Sequence, residues 1–407
     1  MTDPSTKPSS ARAAIAVCAV IYLLDGLIHT ILGPLAPGIA RSLSLGNAEL
    51  GPIFSSNLVG QSIGLVVFPA IASRVGHRLT VTWAVVGFAL AQAISALADS
   101  GGSLFAIRLV TGIFLGGCLP SCLAIVTAHA PAERRGFSIL ILFTGYGLGA
   151  AIAGIVAAGF ADLGGWRAAM VAVGGLSLLA SGAAWLWLRD IRPEGLEVEP
   201  SAAVSGRPAA LQLLSPTYRL GTIMLWLLFL LMLTISYCLN SWLPIMLVEV
   251  GHDEAFAALS VTIFGFGGAI AALGVGLLID RFGAMPVLLS FLTAAAAALF
   301  ATGQVLATAS TATLTALLAA AGFFSLGAYG GVNVVLAGFY PDALRATGIG
   351  WAKSVGRLGT VIAPILIGFA LSAGMPSTFV MSLFAIPAVF AGMALIAISR
   401  THIWRAA

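Results

Sequence analysis

The sequence predicts an all-α membrane protein of twelve transmembrane helices in two pseudo-symmetric six-helix bundles. Three observations predict it: the composition, the length of the apolar runs, and a repeat about half a chain long. Of 407 residues, 59% are hydrophobic and only 8% are charged, against roughly a quarter charged in soluble domains. Such a chain has too little polar surface to face water on all sides. Its apolar runs match the roughly 20 residues that cross a hydrocarbon layer of about 30 Å at about 1.5 Å per residue.

In order, those runs place spans at 13–37, 49–72, 79–98, 103–128, 137–160, 167–188, 217–248, 255–279, 285–305, 311–338, 345–372 and 376–399. Pro and Gly interrupt the stretches near 37–49 and 335–345, which makes those boundaries the least sharp. The polar start, Met1 to Arg12, has the look of a signal-peptide n-region. The run after it is too long for one, contains Asp25 and offers no small-residue cleavage site, so the first span is expected to be retained.

Arginine and lysine set the expected orientation, because cytoplasmic loops are enriched in them. One set of loops carries Lys7, Arg12, Arg74, Arg78, Arg134, Arg135, the arginines of 189–219, Arg281, Arg345, Arg400 and Arg405. The other set carries Arg41 and Arg167 among Glu49, Asp99, Asp162, Glu249, Asp253 and Glu254. Both termini are therefore expected in the cytoplasm, with the chain multi-pass in the cell inner (plasma) membrane. The net charge of +4 follows from this bias and implies no nucleic-acid partner.

The one long polar stretch, from Arg189 to Pro216, holds Glu194, Glu197, Glu199, prolines and serines and cannot bury enough apolar surface to fold alone. It divides the chain into bundles at 1–188 and 217–407 joined by a linker at 189–216. A repeat supports that division. Arg74-Val-Gly76 between the second and third spans recurs as Arg281-Phe-Gly283 between the eighth and ninth, 207 positions further on. Two parallel repeats with a binding site at their interface is the arrangement this predicts.

Gly276-x-Leu-x-Asp280-Arg281-x-Gly283 resembles the loop signature of the major facilitator superfamily. That resemblance implies that Asp280 caps and pairs across a cytoplasmic gate and that Gly283 permits a tight turn. The first copy departs from it: Pro69 replaces the usual Gly and Ser73 the usual Asp, ahead of Arg74, Gly76 and Arg78. Ala128 stands where an acid is common near the end of the fourth span. A narrower resemblance, along nearly the whole chain, is to the aromatic acid:proton symporters, most closely the 3-(3-hydroxyphenyl)propionate transporters. It is carried by Arg108-Leu-Val-Thr-Gly112-Ile-Phe-Leu-Gly116-Gly117-Cys-Leu-Pro120, by Asn240-Ser-Trp242-Leu-Pro244-Ile-Met-Leu-Val-Glu249, and by Arg345-Ala-Thr-Gly348-Ile-Gly350 leading to Val355-Gly356-Arg357-Leu-Gly359 and Pro364. Where that family has Asp-Gly-x-Asp in the first span, this chain has Asp25-Gly26-Leu27-Ile28, then His29. The resemblance implies a secondary active transporter for proton-coupled uptake of a small organic anion, an aromatic carboxylate, by alternating access. An anion exchanger or dicarboxylate transporter of the same fold is the alternative.

The charges inside the spans point the same way. An ionisable side chain at mid-bilayer costs about 2.5–3.5 kcal/mol on insertion scales and persists when paired or facing water. Asp25, Arg108, Lys353 and Arg357 are such residues. Lys353 and Arg357 are four apart on one helical face, where two cations repel unless an anion joins them. The alternatives are a standing pair with Asp25 or snorkelling to the interface. Lys353 replaces a residue that the family resemblance makes apolar, and it suits a second carboxylate on the substrate. Asp25 and His29 are also four apart. A carboxyl away from water favours its neutral form and histidine titrates near neutrality, so either can carry a coupling proton. His29 reads equally as a partner of Asp25, a substrate donor or a histidine satisfied by packing. Arg108 resembles the family's buried arginine thought to tune the proton-carrying group, and reads otherwise as an interhelical anchor.

Neutral polar residues complete the expected cavity: Tyr237, Asn240 and Ser241 on one face of the seventh span, Asn333 in the tenth and Tyr146 in the fifth. Each can bond a substrate hydroxyl or carboxylate, or a neighbouring helix. Trp242 is expected as an interfacial aromatic. Glycine pairs such as Gly112-x-x-x-Gly116 suit close helix contacts. Gly265-x-Gly267-Gly268 lacks the strand-turn-helix context of a phosphate loop. Cys18, Cys118, Cys122 and Cys238 all lie inside spans, as packing residues do, and nothing has metal-ligand spacing. No enzyme, cofactor or metal is implied. The expected partners are the organic anion, protons and the lipid bilayer, with the chain a monomer.

Overall fold

The computed structural model describes residues 8–131, 134–188 and 209–401. Most of the expected linker, 189–208, and the outermost termini lie outside the described residues. The chain forms two compact units, Met1–Gly195 and Leu196–Ala407. The first contains α1 (Pro8–Thr30), α2 (Leu32–Leu43), α3 (Asn47–Val75), α4 (His77–Ile94, extended by a 3-10 turn Ser95–Leu97), α5 (Gly101–His129), α6 (Arg135–Gly159) and α7 (Gly165–Trp187). The second contains the short α8 (Ala209–Gln212), then α9 (Arg219–Glu249), α10 (Glu254–Phe282), α11 (Ala284–Val305), α12 (Thr311–Phe339), α13 (Asp342–Ser372), α14 (Ser377–Leu383) and α15 (Ala385–Ser399).

Among the described residues, twelve helices are long and apolar enough to cross a membrane, and they coincide with the twelve predicted spans. They differ from the expectation at two breaks, both made by proline. Helical residues continue from the first span to Leu43 with an interruption at Ile31. Pro34 has no N–H to donate to the carbonyl of Thr30, the last residue of α1, so the ladder is interrupted there. Pro387 likewise has none for the Leu383 carbonyl, and the last span divides at Phe384 into α14 and α15.

Within each unit the same glycine contacts set the same helix crossing. A Cβ on Gly60 of α3 would strike the Leu109 carbonyl of α5, and one on Gly112 would strike the Asn57 carbonyl of α3. In the second unit Gly267 of α10 presses on the Ala319 carbonyl of α12, and Gly322 presses on the Phe264 carbonyl. Gly60 and Asn57 are each 207 positions from Gly267 and Phe264. The repeat is thus a repeated close approach of two backbones, which only glycine permits in a membrane where dispersion and packing drive helix association.

The repeated loop has a repeated conformation as well. Gly76 has φ 89° and ψ 156°, and Gly283 has φ 84° and ψ 153°. Each N–H still closes its helix, Gly76 onto Ala72 and Gly283 onto Ile279, at 2.9 and 2.8 Å. That region of backbone space is essentially closed to residues with a Cβ, so the following helix can start at once only from glycine. At the other end of the first unit, Ser103 and Ser100 donate to Asp99 between α4 and α5, at 3.1 Å each. These bonds hold its carboxyl below the usual carboxylate range.

Candidate substrate and proton sites in the two units

In the first unit the ionisable residues converge on α1. Asp25 is fully buried, within electrostatic reach of the thiols of Cys118 and Cys122 on α5. Gly26 lets α1 meet the Tyr146 carbonyl of α6 directly. One turn on, the half-buried His29 has its Nδ1 3.4 Å from the Asn57 amide nitrogen on α3, and its ring lies 6.2 Å from that of Tyr146. Tyr22 adds a ring 5.2 Å from Tyr146 and 5.7 Å from Phe143. The structure therefore brings His29 and Tyr146 together one turn from Asp25, which faces the α5 thiols, and supplies an aromatic wall that includes Tyr22 and Phe143.

Arg108 is completely buried. Its Nη1 donates to Gln92 Oε1 on α4 at 2.5 Å, and its Nη2 donates to the backbone carbonyl of Ile28 on α1 at 2.8 Å. Gln92 in turn donates through Nε2 to the Met170 sulfur on α7 at 2.9 Å. Arg108 thus acts as an interhelical anchor, and it bonds the turn of α1 that carries Asp25 and His29.

In the second unit Gly356 and Gly359 seat α13 on α9: added Cβ atoms would meet Leu233 and Phe229, and Thr234 and Leu230. That contact turns Arg357 to the flank of α13. Its Nη1 is buried and has no hydrogen-bond partner. Tyr329 of α12 lies within electrostatic reach of both Arg357 and Tyr237, and its ring meets Phe229 edge-on at 6.0 Å. Lys353 is one turn from Arg357 and exposed. Asn240 and Asn333 turn their amide N–H groups back onto their own helices, to the Ser236 carbonyl at 2.7 Å and the Tyr329 carbonyl at 2.8 Å. A nitrogen on a carbonyl leaves each amide oxygen available as an acceptor. Ser241 is half-buried beside Asn240.

The loop residues behave differently in the two copies. Arg78 donates to the Trp185 carbonyl at the end of α7 at 2.5 Å, with its guanidinium 4.7 Å from that ring. A cation there satisfies a helix C-terminus. Arg74 is exposed, as are Asp280 and Arg281, the latter over the Phe282 ring at 5.2 Å. Gly276 has open space around it, so close packing does not require it.

Trp242 corrects an expectation. It is fully buried, not interfacial, and its indole N–H donates to the Pro364 carbonyl on α13 at 3.1 Å. An indole among helices is held by a partner for its one donor. Four residues that the sequence did not single out belong to these clusters: Gln92, Asn57, Tyr22 and Tyr329.

Among the described residues, twelve helices long and apolar enough to cross a membrane form two repeated units, and with the family and relatives that follow they define a multi-pass membrane transporter and not an enzyme. The chain matches the family model described as Major Facilitator Superfamily over residues 18–259 and 225–406, and it belongs to that superfamily. It is 30% identical to a gallate transporter of Pseudomonas putida, over 94% of this chain and 90% of that one. To the 3-(3-hydroxy-phenyl)propionate transporter of Escherichia coli K12 it is 31% identical, over 96% and 94%. To a 4-hydroxybenzoate transporter PcaK of Pseudomonas putida it is 29% identical, over 94% and 91%. Its fold is similar to a crystal structure of a bacterial homologue of the human lysosomal transporter Spinster, with TM-score 0.80 and 18% identity over 98% of this chain and 99% of that one.

Proposed function

We propose that this transporter carries out proton-coupled uptake of an aromatic carboxylate across the inner membrane by alternating access, with both termini cytoplasmic and the chain acting as a monomer. The observation that carries the reading is Arg357, whose buried Nη1 has no hydrogen-bond partner. A guanidinium forks onto a carboxylate in two parallel bonds, so the unfilled nitrogen suits a substrate carboxylate. Tyr329 lies within electrostatic reach of Arg357 and of Tyr237, the amide oxygens of Asn240 and Asn333 and the Ser241 hydroxyl suit ring hydroxyls, and Tyr146 adds a hydrogen-bonding group within the first unit. The relatives named for gallate, 4-hydroxybenzoate and 3-(3-hydroxy-phenyl)propionate support an aromatic acid.

Asp25 is the proton site in this reading, with His29 its partner and Arg108 setting the local field. Protonation of Asp25 from outside and capture of the anion by Arg357 precede a rocking of bundle 1–188 against bundle 217–407, tethered by the linker 189–216. Arg74, Gly76, Arg78, Gly276, Asp280, Arg281 and Gly283 form the loops that close the inner side. Purified protein in liposomes tests this with gallate, 4-hydroxybenzoate and 3-(3-hydroxyphenyl)propionate. Uptake driven by an inward pH gradient is expected. Uptake that follows voltage and ignores the pH gradient overturns proton symport.

A second reading, anion exchange or dicarboxylate transport, is favoured by Lys353 on the face of Arg357 and by Ile28 where the symporters have a second acid. Substrate counterflow without any proton gradient, together with preference for aromatic diacids, is its mark.

A further inference from the structure

In the first unit one buried amide is only half used. Asn57 of α3 is 3% exposed; its Nδ2 lies 3.4 Å from His29 Nδ1, while its Oδ1 is buried without a hydrogen-bond partner. We propose that Asn57 is a specificity-determining residue whose Oδ1 accepts a hydrogen bond from the ring hydroxyl of a hydroxylated aromatic acid. The proposal deepens the reading of the substrate as an aromatic acid and rests on it.

The place of this amide is fixed by backbone. Gly60 and Gly112 press α3 and α5 together, and Gly112 lies against the Asn57 carbonyl itself, so α3 cannot turn and carry the side chain away. The approach to it is aromatic. Phe143 is 46% exposed; its ring is 5.7 Å from Tyr22, Tyr22 is 5.2 Å from Tyr146, and Tyr146 is 6.2 Å from His29. This run of rings leads from an exposed edge of α6 to the imidazole that Asn57 touches, and a flat aromatic acid packs on such faces.

Donors and acceptors decide which part of such an acid suits the amide. An amide nitrogen only donates, so His29 Nδ1 accepts, and the imidazole is neutral with its proton on Nε2. A neutral amide beside a neutral imidazole offers no cation to a carboxylate. An unfilled acceptor takes a donor, and the ring hydroxyl is the one donor on a hydroxybenzoate or hydroxyphenylpropionate anion. Asn57 also differs from the amides of the second unit. Asn240 and Asn333 are half-buried, so a hydroxyl that bonds their oxygens displaces water and gains little. Asn57 Oδ1 is buried away from solvent, where the hydroxyl gains a bond that water does not already make. A site of that kind rejects the analogue that lacks the hydroxyl.

The test uses pairs of acids that differ by one hydroxyl: 4-hydroxybenzoate with benzoate, and 3-(3-hydroxyphenyl)propionate with 3-phenylpropionate. Dissociation constants come from calorimetric titration of the purified full chain, and the pair that the wild type binds more tightly is carried through. The wild type is expected to bind the hydroxylated member about tenfold more tightly, the scale of one hydrogen bond to an otherwise unpaired group. The methyl ether of that acid cannot donate and should bind no more tightly than the unhydroxylated member; an ether that matches the hydroxylated acid overturns the proposal. Asn57→Leu keeps the size of the side chain and removes the acceptor. The ratio between the two members should then collapse to about one, through loss of affinity for the hydroxylated acid alone. A ratio that stays near the wild-type value, whether or not both affinities fall, leaves Asn57 with a structural role only and overturns the proposal. If Asn57→Leu does not fold, Asn57→Ala, which adds no atoms, decides by the same ratio. A wild type that binds both members equally overturns the role of Asn57 and leaves the aromatic-acid reading in place. A wild type that binds none of these acids, nor gallate, removes that reading and this one with it.

Discussion

The two units are built on one helix crossing and treat charge in opposite ways. In the first, Arg108 is fully buried and spends both terminal nitrogens on neutral oxygens, and Asp25 is sealed beside α5 and α6. In the second, Arg357 leaves a terminal nitrogen without a partner, and Asn240 and Asn333 fold their donors onto their own helices. A cation with both terminal nitrogens bonded holds helices together. A cation with a terminal nitrogen open can take a ligand. The contrast teaches that a repeated scaffold does not imply repeated chemistry: in the reading proposed above, the first unit keeps or releases a proton and the second receives an anion.

The sharpest way to break this comparison is to remove the spare donor. Arg357→Ala is expected to weaken binding of a preferred aromatic acid by about 30-fold or more, since removing one partner of a buried charge pair costs about 2–5 kcal/mol and about 1.4 kcal/mol is tenfold. Arg357→Lys should not restore it, because a point charge lacks the planar fork. Ligand-induced stabilisation of the purified protein measures both. Affinity within threefold of wild type would take the anion site out of the second unit.

Asp25→Asn tests the other side. The amide mimics a permanently protonated carboxyl, so net accumulation driven by a pH gradient should fall to background while exchange of labelled for unlabelled substrate continues. Loss of both activities in a folded variant would make Asp25 part of the binding site and erase the division of labour. The sharpening comes from Lys353→Ala. If Lys353 serves a second carboxylate, affinity for phthalate-type diacids drops about fivefold, the upper end of the roughly 1 kcal/mol of an exposed charge pair, and affinity for monoacids stays within twofold. Equal losses for both classes would instead assign Lys353 to the same carboxylate as Arg357.

The parts of this molecule that were legible in the sequence are those where the solvent or the backbone leaves no choice. Span lengths follow from the thickness of the bilayer, and Gly76 and Gly283 follow from a turn no other residue makes easily. Charges inside spans are conspicuous because each is costly, and so Asp25, Arg108 and Arg357 stood out. What was not legible were neutral partners. Gln92 lies in an apolar run as one amide among many possible helix anchors, and only its distances reveal that it holds Arg108. Tyr329 and Tyr22 look like any aromatic in a bundle until Arg357, Tyr237 and Tyr146 are found beside them. Trp242 misled because its place near a helix end suits an interfacial ring, whereas its burial follows from Pro364 on a neighbouring helix 122 positions away in sequence.

The smallest expected effect tests whether the units are equal where their chemistry does not enter. Gly76→Ala and Gly283→Ala put a Cβ on backbones at φ 89° and 84°, which costs about 1–3 kcal/mol at such positions. Nothing lies close enough to Gly283 to add a clash, the nearest atom being Pro286 Cδ at 3.9 Å from the added Cβ. Gly76 is buried, and Arg78 in the first turn of α4 is tied to the Trp185 carbonyl. An alanine at 76 therefore strains a loop pinned on its α4 side, and one at 283 strains a loop that can give way at its exposed Asp280 and Arg281. The apparent unfolding temperature should fall in both, by a few degrees, about 2–4 °C for each kcal/mol in a unit of this size, and further for Gly76→Ala. Equal losses would mean that the ties of Arg78 add nothing to the rigidity of the first loop, and a larger loss at Gly283 would reverse the comparison there.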